Sequence, residues 1–428
     1  MTENAPASIP QGSQAEPDAA AAPQQLTGTR IVLADINVQA GERTLLQNAS
    51  AEFPAGQVTL LLGCSGVGKS VLLRILAGLA TSPSTGIRYA GDVHFEQADG
   101  SHRTIDDGDA PVAVVFQNYA LFDELTPVEN VQIALDHCRT TGWRGNHQAA
   151  VELLRDLAVP MDRPTAVMSG GQQQRLAIAR AIGMETDVVF YDEPTSGLDT
   201  RTASRVAELI RSTQLKFRRT TVIVTHDYEA LMNIADHIVL IDHLQQKLVP
   251  LVREHWNQLP AILGEPPAAD EPHGSGPGIP ALIRKNVAAL AVGTGQIVTD
   301  ILRLPADLLP LWKSFRWGLR ATAHYLNLVA GPSACAYMMI AGVILGFVAQ
   351  DFIFRYLPFR QFTEPLLIEN LLQGTGFSLY RFLVPILATI LIAARSGAAV
   401  SADIGSKVYG NQIDAIRTIG MRPWQTLR

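Results

Sequence analysis

The sequence predicts an α/β domain followed by an α-helical transmembrane segment, and three observations predict it. From Arg30 to about Leu251, short β-branched and apolar runs alternate with helical patterns. A glycine-rich run, Gly63–Ser70 (GCSGVGKS), separates one such apolar run from a helical one. Far downstream, Ala321–Gln350 contains no Asp, Glu, Lys or Arg, a stretch longer than the roughly 20 residues that suffice to cross a bilayer.

Composition sets the bounds. A chain of 428 residues has room for two or three domains. Hydrophobic residues make up 47% of it and mean hydropathy is +0.13, high for a purely soluble protein. A formal charge of -6 argues against nucleic acid as a partner. Cys64, Cys138 and Cys335 are too dispersed for a disulfide framework or a metal pattern, which fits a reducing cytoplasm.

Residues 1–28 are rich in Ala, Pro and Gln, with no Lys or Arg before Arg30 and no apolar run. They are expected to form a disordered arm rather than a secretory signal. Val58–Leu62, Val188–Tyr191 and Val222–Thr225 read as buried parallel strands, and Asp99-Gly100 as a hairpin turn. Glu265–Pro280 (EPPAADEPHGSGPGIP) reads as a linker. Ile283–Leu302, apolar with Arg284 and Lys285 near its start, reads either as an interfacial amphipathic helix or as a soluble packing helix. Gly331-Pro332 is expected to kink the first apolar span or to mark a re-entrant entry. The second apolar stretch, Phe382–Ala394, lies between Arg381 and Arg395 and spans only if its helix continues through Gly397 and Ala398.

The chemistry starts at the glycine-rich run. Its glycines let the backbone N–H groups from Gly63 through Cys64, Ser65, Gly66, Val67 and Gly68 wrap a phosphate, and the helix opening at Val71 adds its positive end. Lys69 can reach the β- and γ-phosphates, and the Ser70 hydroxyl suits Mg²⁺. This is the pattern of an α/β P-loop NTPase with ATP and Mg²⁺ as cofactors. In Val188–Glu193 (VVFYDE), a strand ends in Asp192, a second Mg²⁺ candidate, and Glu193, placed to polarise an attacking water.

The remaining motifs carry a resemblance. Gln117, Ser169–Gln173 (SGGQQ), Ser196–Asp199 (SGLD) and His226 within TVIVTHD follow the P-loop in an order that resembles the ABC ATPase family over roughly Arg30 to Leu251. The resemblance implies that Ser169, Gly170, Gly171 and Gln172 open a helix facing the γ-phosphate held by a second copy of the chain. It implies that Gln117 senses Mg²⁺ and water, that His226 contacts the γ-phosphate and orients Glu193, and that Asp199 lines a dimer interface. The family usually stacks an aromatic residue on adenine near the start of the domain. The matching position here is Ala40, and no aromatic lies between Arg30 and Glu52. Arg43 either stacks through its guanidinium plane or lies free in solvent.

Ala394–Ala415 (ARSGAAVSADIGSKVYGNQIDA) combines small residues suited to close helix approach with Asp403-Ile404-Gly405 and Gln412–Ala415. It resembles the MlaE-type permeases of bacterial lipid transporters, the membrane partners of MCE proteins, with Asp403 and Asn411 where Glu is commoner. Two spans return the chain to the side of the ATPase, with Lys407, Arg417, Arg422 and Arg428 there and Arg355 and Arg360 outside. On this basis Asp403 and Asp414 are expected at the ATPase surface.

The expected organisation is therefore an arm (1–28), an ABC ATPase domain (29–264), a linker (265–280) and a partial permease (281–428). The resemblance implies an ATP-driven mover of phospholipid or a related lipid between the bacterial inner membrane and a periplasmic MCE carrier, with its ATPase on the cytoplasmic face. Its partners would be a second copy, an MCE protein, membrane lipid, a small cytoplasmic accessory subunit and a separate remainder of the permease, since only two spans precede Arg428. The rivals are a transporter of a polar solute and a non-transporting ABC ATPase module, the latter opposed by Ala321–Gln350.

Overall fold

The computed structural model describes residues 28–80, 86–97, 99–105, 112–138, 146–259, 315–356, 376–377, 381–382 and 384–421. The arm up to residue 27, the linker, the Ile283–Leu302 stretch and residues 422–428 lie outside them. The chain divides into two compact units, residues 1–117 with 122–264, and residues 118–121 with 265–428. Residues 118–121 thus group with the second unit although they fall inside the first in sequence.

The first unit holds two sheets. One is antiparallel, in the order β2-β1-β4-β5, from β1 (Arg30–Ala40), β2 (Arg43–Phe53), β4 (Ile87–Glu96) and β5 (His102–Thr104). Gly100 takes φ 80° in the β4–β5 turn, and Ser101 N donates to Asp99 Oδ1 at 2.8 Å, as the Asp99-Gly100 pair predicts.

The other sheet has the order β10-β9-β3-β8-β7-β6. It comprises β3 (Val58–Leu62), β6 (Val112–Val115), β7 (Val188–Asp192), β8 (Thr220–Thr225), β9 (His237–Asp242) and β10 (Lys247–Leu251). All but β10 run parallel. Every residue of β3, β6 and β8 is buried, as expected of strands covered on both faces. The helices between the strands are α1 (Lys69–Leu76), α2 (Pro127–Asp136), α3 (His147–Asp156), α4 (Gly170–Gly183) and α5 (Thr200–Phe217). Their starts are locally encoded. Thr126 and Glu129 form a reciprocal capping box on α2, with Pro127 in its first turn. Asp199 caps α5 by accepting from Arg201 N and Thr202 N, both at 3.1 Å.

The second unit is helical: α6 (Phe315–Ala330), α7 (Pro332–Tyr356), α8 (Val384–Tyr409) and α9 (Gln412–Thr418). The break between α6 and α7 falls at Gly331, where a β-carbon would clash with Asn327 O, and Pro332 opens α7. This is the interruption that Gly331-Pro332 predicts. Helix α8 continues past Arg395 through Gly397 and Ala398, meeting the length condition for a second span. Two stretches, Thr322–Val348 and Val384–Tyr409, are long and apolar enough to cross a membrane. Large apolar side chains such as Met339, Val343 and Phe347 on α7 are exposed, as they are on a lipid-facing surface.

Candidate phosphate-binding and catalytic site

Parallel strands carry the candidate residues to one edge of the six-stranded sheet. The P-loop follows the C-terminal end of β3, Gln117 lies two residues beyond β6, Asp192 and Glu193 end β7, and His226 follows β8. Because these strands are in parallel register, all four ends open on the same edge, where ligands bind in open α/β sheets.

The P-loop is tightly wound. Gly68 adopts φ 108°, closed to most side chains, and a β-carbon there would come 2.9 Å from Leu45 Cδ1. Lys69 Nζ donates to Gly63 O at 2.9 Å and to Cys64 O at 3.0 Å. The ammonium therefore rests on the loop's own carbonyls, ready to exchange them for phosphate oxygens. Burial pushes its pKa down, opposed by the carboxylates of Glu193 and Asp192. Ser70 Oγ donates to Asp192 Oδ1 at 3.3 Å. Burial pushes the Asp192 carboxyl up, and the Ser70 hydrogen bond works against that.

Glu193 and His226 are in direct contact. His226 Nδ1 lies 2.8 Å from Oε1 and 2.6 Å from Oε2 of Glu193. The carboxylate is nearly covered, 11% exposed, and the imidazole is 54% exposed. Glu193 sits at φ 51°, a left-handed conformation uncommon for a side-chain-bearing residue, and its N–H donates to Val224 O of β8 at 2.8 Å. The backbone turn thus aims the side chain out of the strand and towards His226.

Gln117 Nε2 donates to Ser196 Oγ at 3.5 Å, bringing the glutamine to the SGLD loop. Ser169 N donates to Gln172 Oε1 at 3.0 Å, which orders the start of α4. Among the described residues, no hydrogen bond or ion pair joins Ser169–Gln172 to the P-loop of the same chain. Asp199 has a local task as the α5 cap, and its hydrogen bonds with Thr202 hold its carboxyl below the usual range.

Two further buried polar residues make contacts that motif reading does not give. Gln174 is buried and donates to Pro194 O at 2.6 Å, tying α4 to the segment after Glu193. Asn130 is fully buried and brackets Phe122, accepting from its N–H and donating to its carbonyl, both at 3.0 Å. Gln174 continues the SGGQQ run, which does not reveal its Pro194 partner, and Asn130 has no sequence signature beyond a polar residue on an otherwise apolar helix face.

In the second unit, Asp403 of α8 pairs within its own helix and with α6. Its carboxylate lies 3.1 Å from Lys407 Nζ and 3.9 Å from His324 Nε2 of α6. Arg395 of α8 donates to Leu328 O (3.0 Å), Val329 O (3.4 Å) and Ser333 Oγ (2.8 Å), joining α8 to the α6–α7 break. Gln412 Nε2 donates to Leu121 O at 2.6 Å, within the same unit.

With this geometry in place, comparison with known proteins decides the family. The family model described as ABC transporter matches residues 46–196, and the one described as permease MlaE matches residues 328–428. A probable sulfate/thiosulfate import ATP-binding protein of Chlorella vulgaris is 36% identical over 215 residues, covering 50% of this chain and 87% of that protein. The chain belongs to the ABC transporter family. Its sequence joins the ATPase of that family to a permease MlaE region. Further relatives of the ABC ATPase are the sulfate/thiosulfate import ATP-binding protein CysA of Vibrio vulnificus (38% over 208 residues, 47% of this chain and 58% of that protein) and the methionine import ATP-binding protein MetN of Lactobacillus johnsonii (34% over 220 residues, 50% and 62%). The chain spans about three fifths of the length of these two. Among solved structures, cbiO1 of Clostridium perfringens, part of the ABC transporter complex cbiONQ, aligns with TM-score 0.43 and 24% identity over 52% of this chain and 87% of that one.

Proposed function

We propose that this ABC protein hydrolyses ATP to move phospholipid or a related lipid between the bacterial inner membrane and a periplasmic MCE carrier, its ATPase lying on the cytoplasmic face. The observation that carries the reading is the joining, in one chain, of the Lys69–Asp192–Glu193–His226 site to the permease MlaE match at residues 328–428.

The residues divide the work by position. Backbone N–H groups from Gly63 to Val71 bind the phosphates, and Lys69 leaves its carbonyl partners to neutralise the β- and γ-oxygens. The Ser70 hydroxyl and Asp192 carboxylate converge on one point, with Gln117 nearby at the end of β6. Hard oxygen donors of this kind fit Mg²⁺, which usually keeps water and phosphate in its shell. Among the described residues no group of three or more His, Cys, Asp or Glu side chains forms a closed metal cage, consistent with such an open site. Bound there, Mg²⁺ would supply charge neutralisation on the phosphates. Glu193 accepts the proton of the attacking water, and His226, hydrogen-bonded to it, holds the carboxylate in place and faces the γ-phosphate. Ser169, Gly170 and Gly171 offer helix N–H groups to the ATP of a second copy, so the working ATPase is a homodimer. ATP clamps that dimer shut, hydrolysis releases it, and the permease alternates between loaded and emptied states.

The lipid cargo follows from the permease match, because nothing in the ATP site selects a substrate. The names of the ATPase relatives favour a polar-solute importer instead. Reconstitution into liposomes separates the two. ATP-dependent movement of labelled phospholipid, absent in Lys69→Ala, supports the lipid reading. ATP-driven uptake of sulfate or methionine without lipid movement overturns it.

A further inference from the structure

Arg43 begins β2 across a two-residue turn from Ala40, the last residue of β1, and the two are register partners. Their side chains therefore leave the same face of the hairpin. Arg43 is exposed, and its Nη1 lies 3.5 Å from Gly66 O of the P-loop. Two residues along β2, Leu45 closes on Gly68 of the same loop. The hairpin tip and the P-loop thus form one wall of the phosphate site.

The opposite side of that loop is already occupied. Ser70 points to Asp192, and Glu193 with His226 stands beyond it. A nucleotide whose terminal phosphate faces those groups carries its base away from them, towards the hairpin tip. There Ala40 contributes only a methyl group, and beside it stands a planar guanidinium that no ion pair among the described residues holds. The geometry points to Arg43 as the residue that stacks on the adenine of bound ATP, its plane against the face of the base. This inference rests on the P-loop holding the phosphates as proposed above.

The test compares ATP with inorganic tripolyphosphate, which has the phosphates without the base, by calorimetric titration of the full-length protein in detergent. Arg43→Ala should weaken ATP about 3- to 30-fold and leave tripolyphosphate affinity within about twofold, the range of a desolvated cation–π contact. Arg43→Tyr should restore ATP affinity, because it supplies a plane. Arg43→Lys should not, because it keeps the charge without the plane. Unchanged ATP affinity in Arg43→Ala overturns the inference. So does a parallel loss of tripolyphosphate rescued by Arg43→Lys, which would make Arg43 a phosphate contact. Lys69→Ala is the control for the underlying site: if it binds both ligands like wild type, the P-loop reading fails irrespective of Arg43.

Discussion

Replacing Glu193 by Gln removes one thing from the site and leaves the rest. In the structure His226 Nδ1 reaches both carboxylate oxygens, at 2.8 and 2.6 Å. A glutamine of the same length keeps one oxygen there, so His226 retains a partner and the backbone bond from residue 193 to Val224 O is untouched. The phosphate cradle and the Ser70–Asp192 contact are equally preserved. Proton acceptance alone is lost. A positioned general base contributes roughly 10²- to 10⁴-fold to rate, which corresponds to about 3–5 kcal/mol of barrier. Steady-state phosphate release at saturating ATP should therefore fall by that factor, while ATP affinity measured on the same preparation stays near wild type. Turnover within about threefold of wild type, with affinity unchanged, would refute the assignment of Glu193 as the base.

Other outcomes follow from the same geometry. Ser169→Arg should abolish hydrolysis without weakening ATP binding. Mixing it with Lys69→Ala should recover activity, because a mixed dimer has one site with an intact P-loop and an intact signature; no recovery from any mixture sinks the cross-subunit arrangement. Burial raises the Asp192 pKa, so its carboxylate is lost to protonation at a higher pH than an ordinary aspartate. The Mg²⁺ concentration for half-maximal ATPase activity should accordingly start to rise at a higher pH than an ordinary aspartate would give, and a profile that stays flat as pH falls to the ordinary aspartate range counts against Asp192 as a ligand. Arg395→Met removes three hydrogen bonds at the α6–α7 break. It should lower the thermal stability of the detergent-solubilised protein by about 2 kcal/mol, as for charged hydrogen bonds elsewhere, and an unchanged melting curve would deny Arg395 a clamping role.

Much of the first unit was legible because its signals are local. The strands β3, β7 and β8 are buried on both faces and so read as unbroken β-branched runs. The P-loop and the Asp192-Glu193 pair are contiguous in sequence, and their chemistry needs only that contiguity. The antiparallel sheet was less legible. Its long strands β1 and β2 pair through several register shifts, which blur the two-residue alternation that marks a half-buried strand. Contacts made across the fold were invisible: Gln174 to Pro194, Asn130 to Phe122, Arg395 to the α6 carbonyls. Each joins residues whose proximity is decided by packing rather than by any nearby pattern. The contacts of Asp403 with Lys407 and His324 were equally unreadable from the sequence, because the His324 contact depends on how α6 packs on α8.

The backbone hydrogen bond from Glu193 N–H to Val224 O limits how such an ATPase can diverge. Val224 pairs with Asp192, and His226 follows it by two residues, just past the end of that strand. A one-residue insertion inside β8 would turn the imidazole away from the carboxylate while leaving both motifs perfectly spelled in the gene. Length changes are tolerable only in the connections that precede β8, such as the loop between α5 and the strand. Domain shuffling or chimera building that exchanges β7 and β8 must therefore move them as one cassette. A search that scores the acidic pair and the histidine as separate words would wrongly accept chains in which both are present but out of phase.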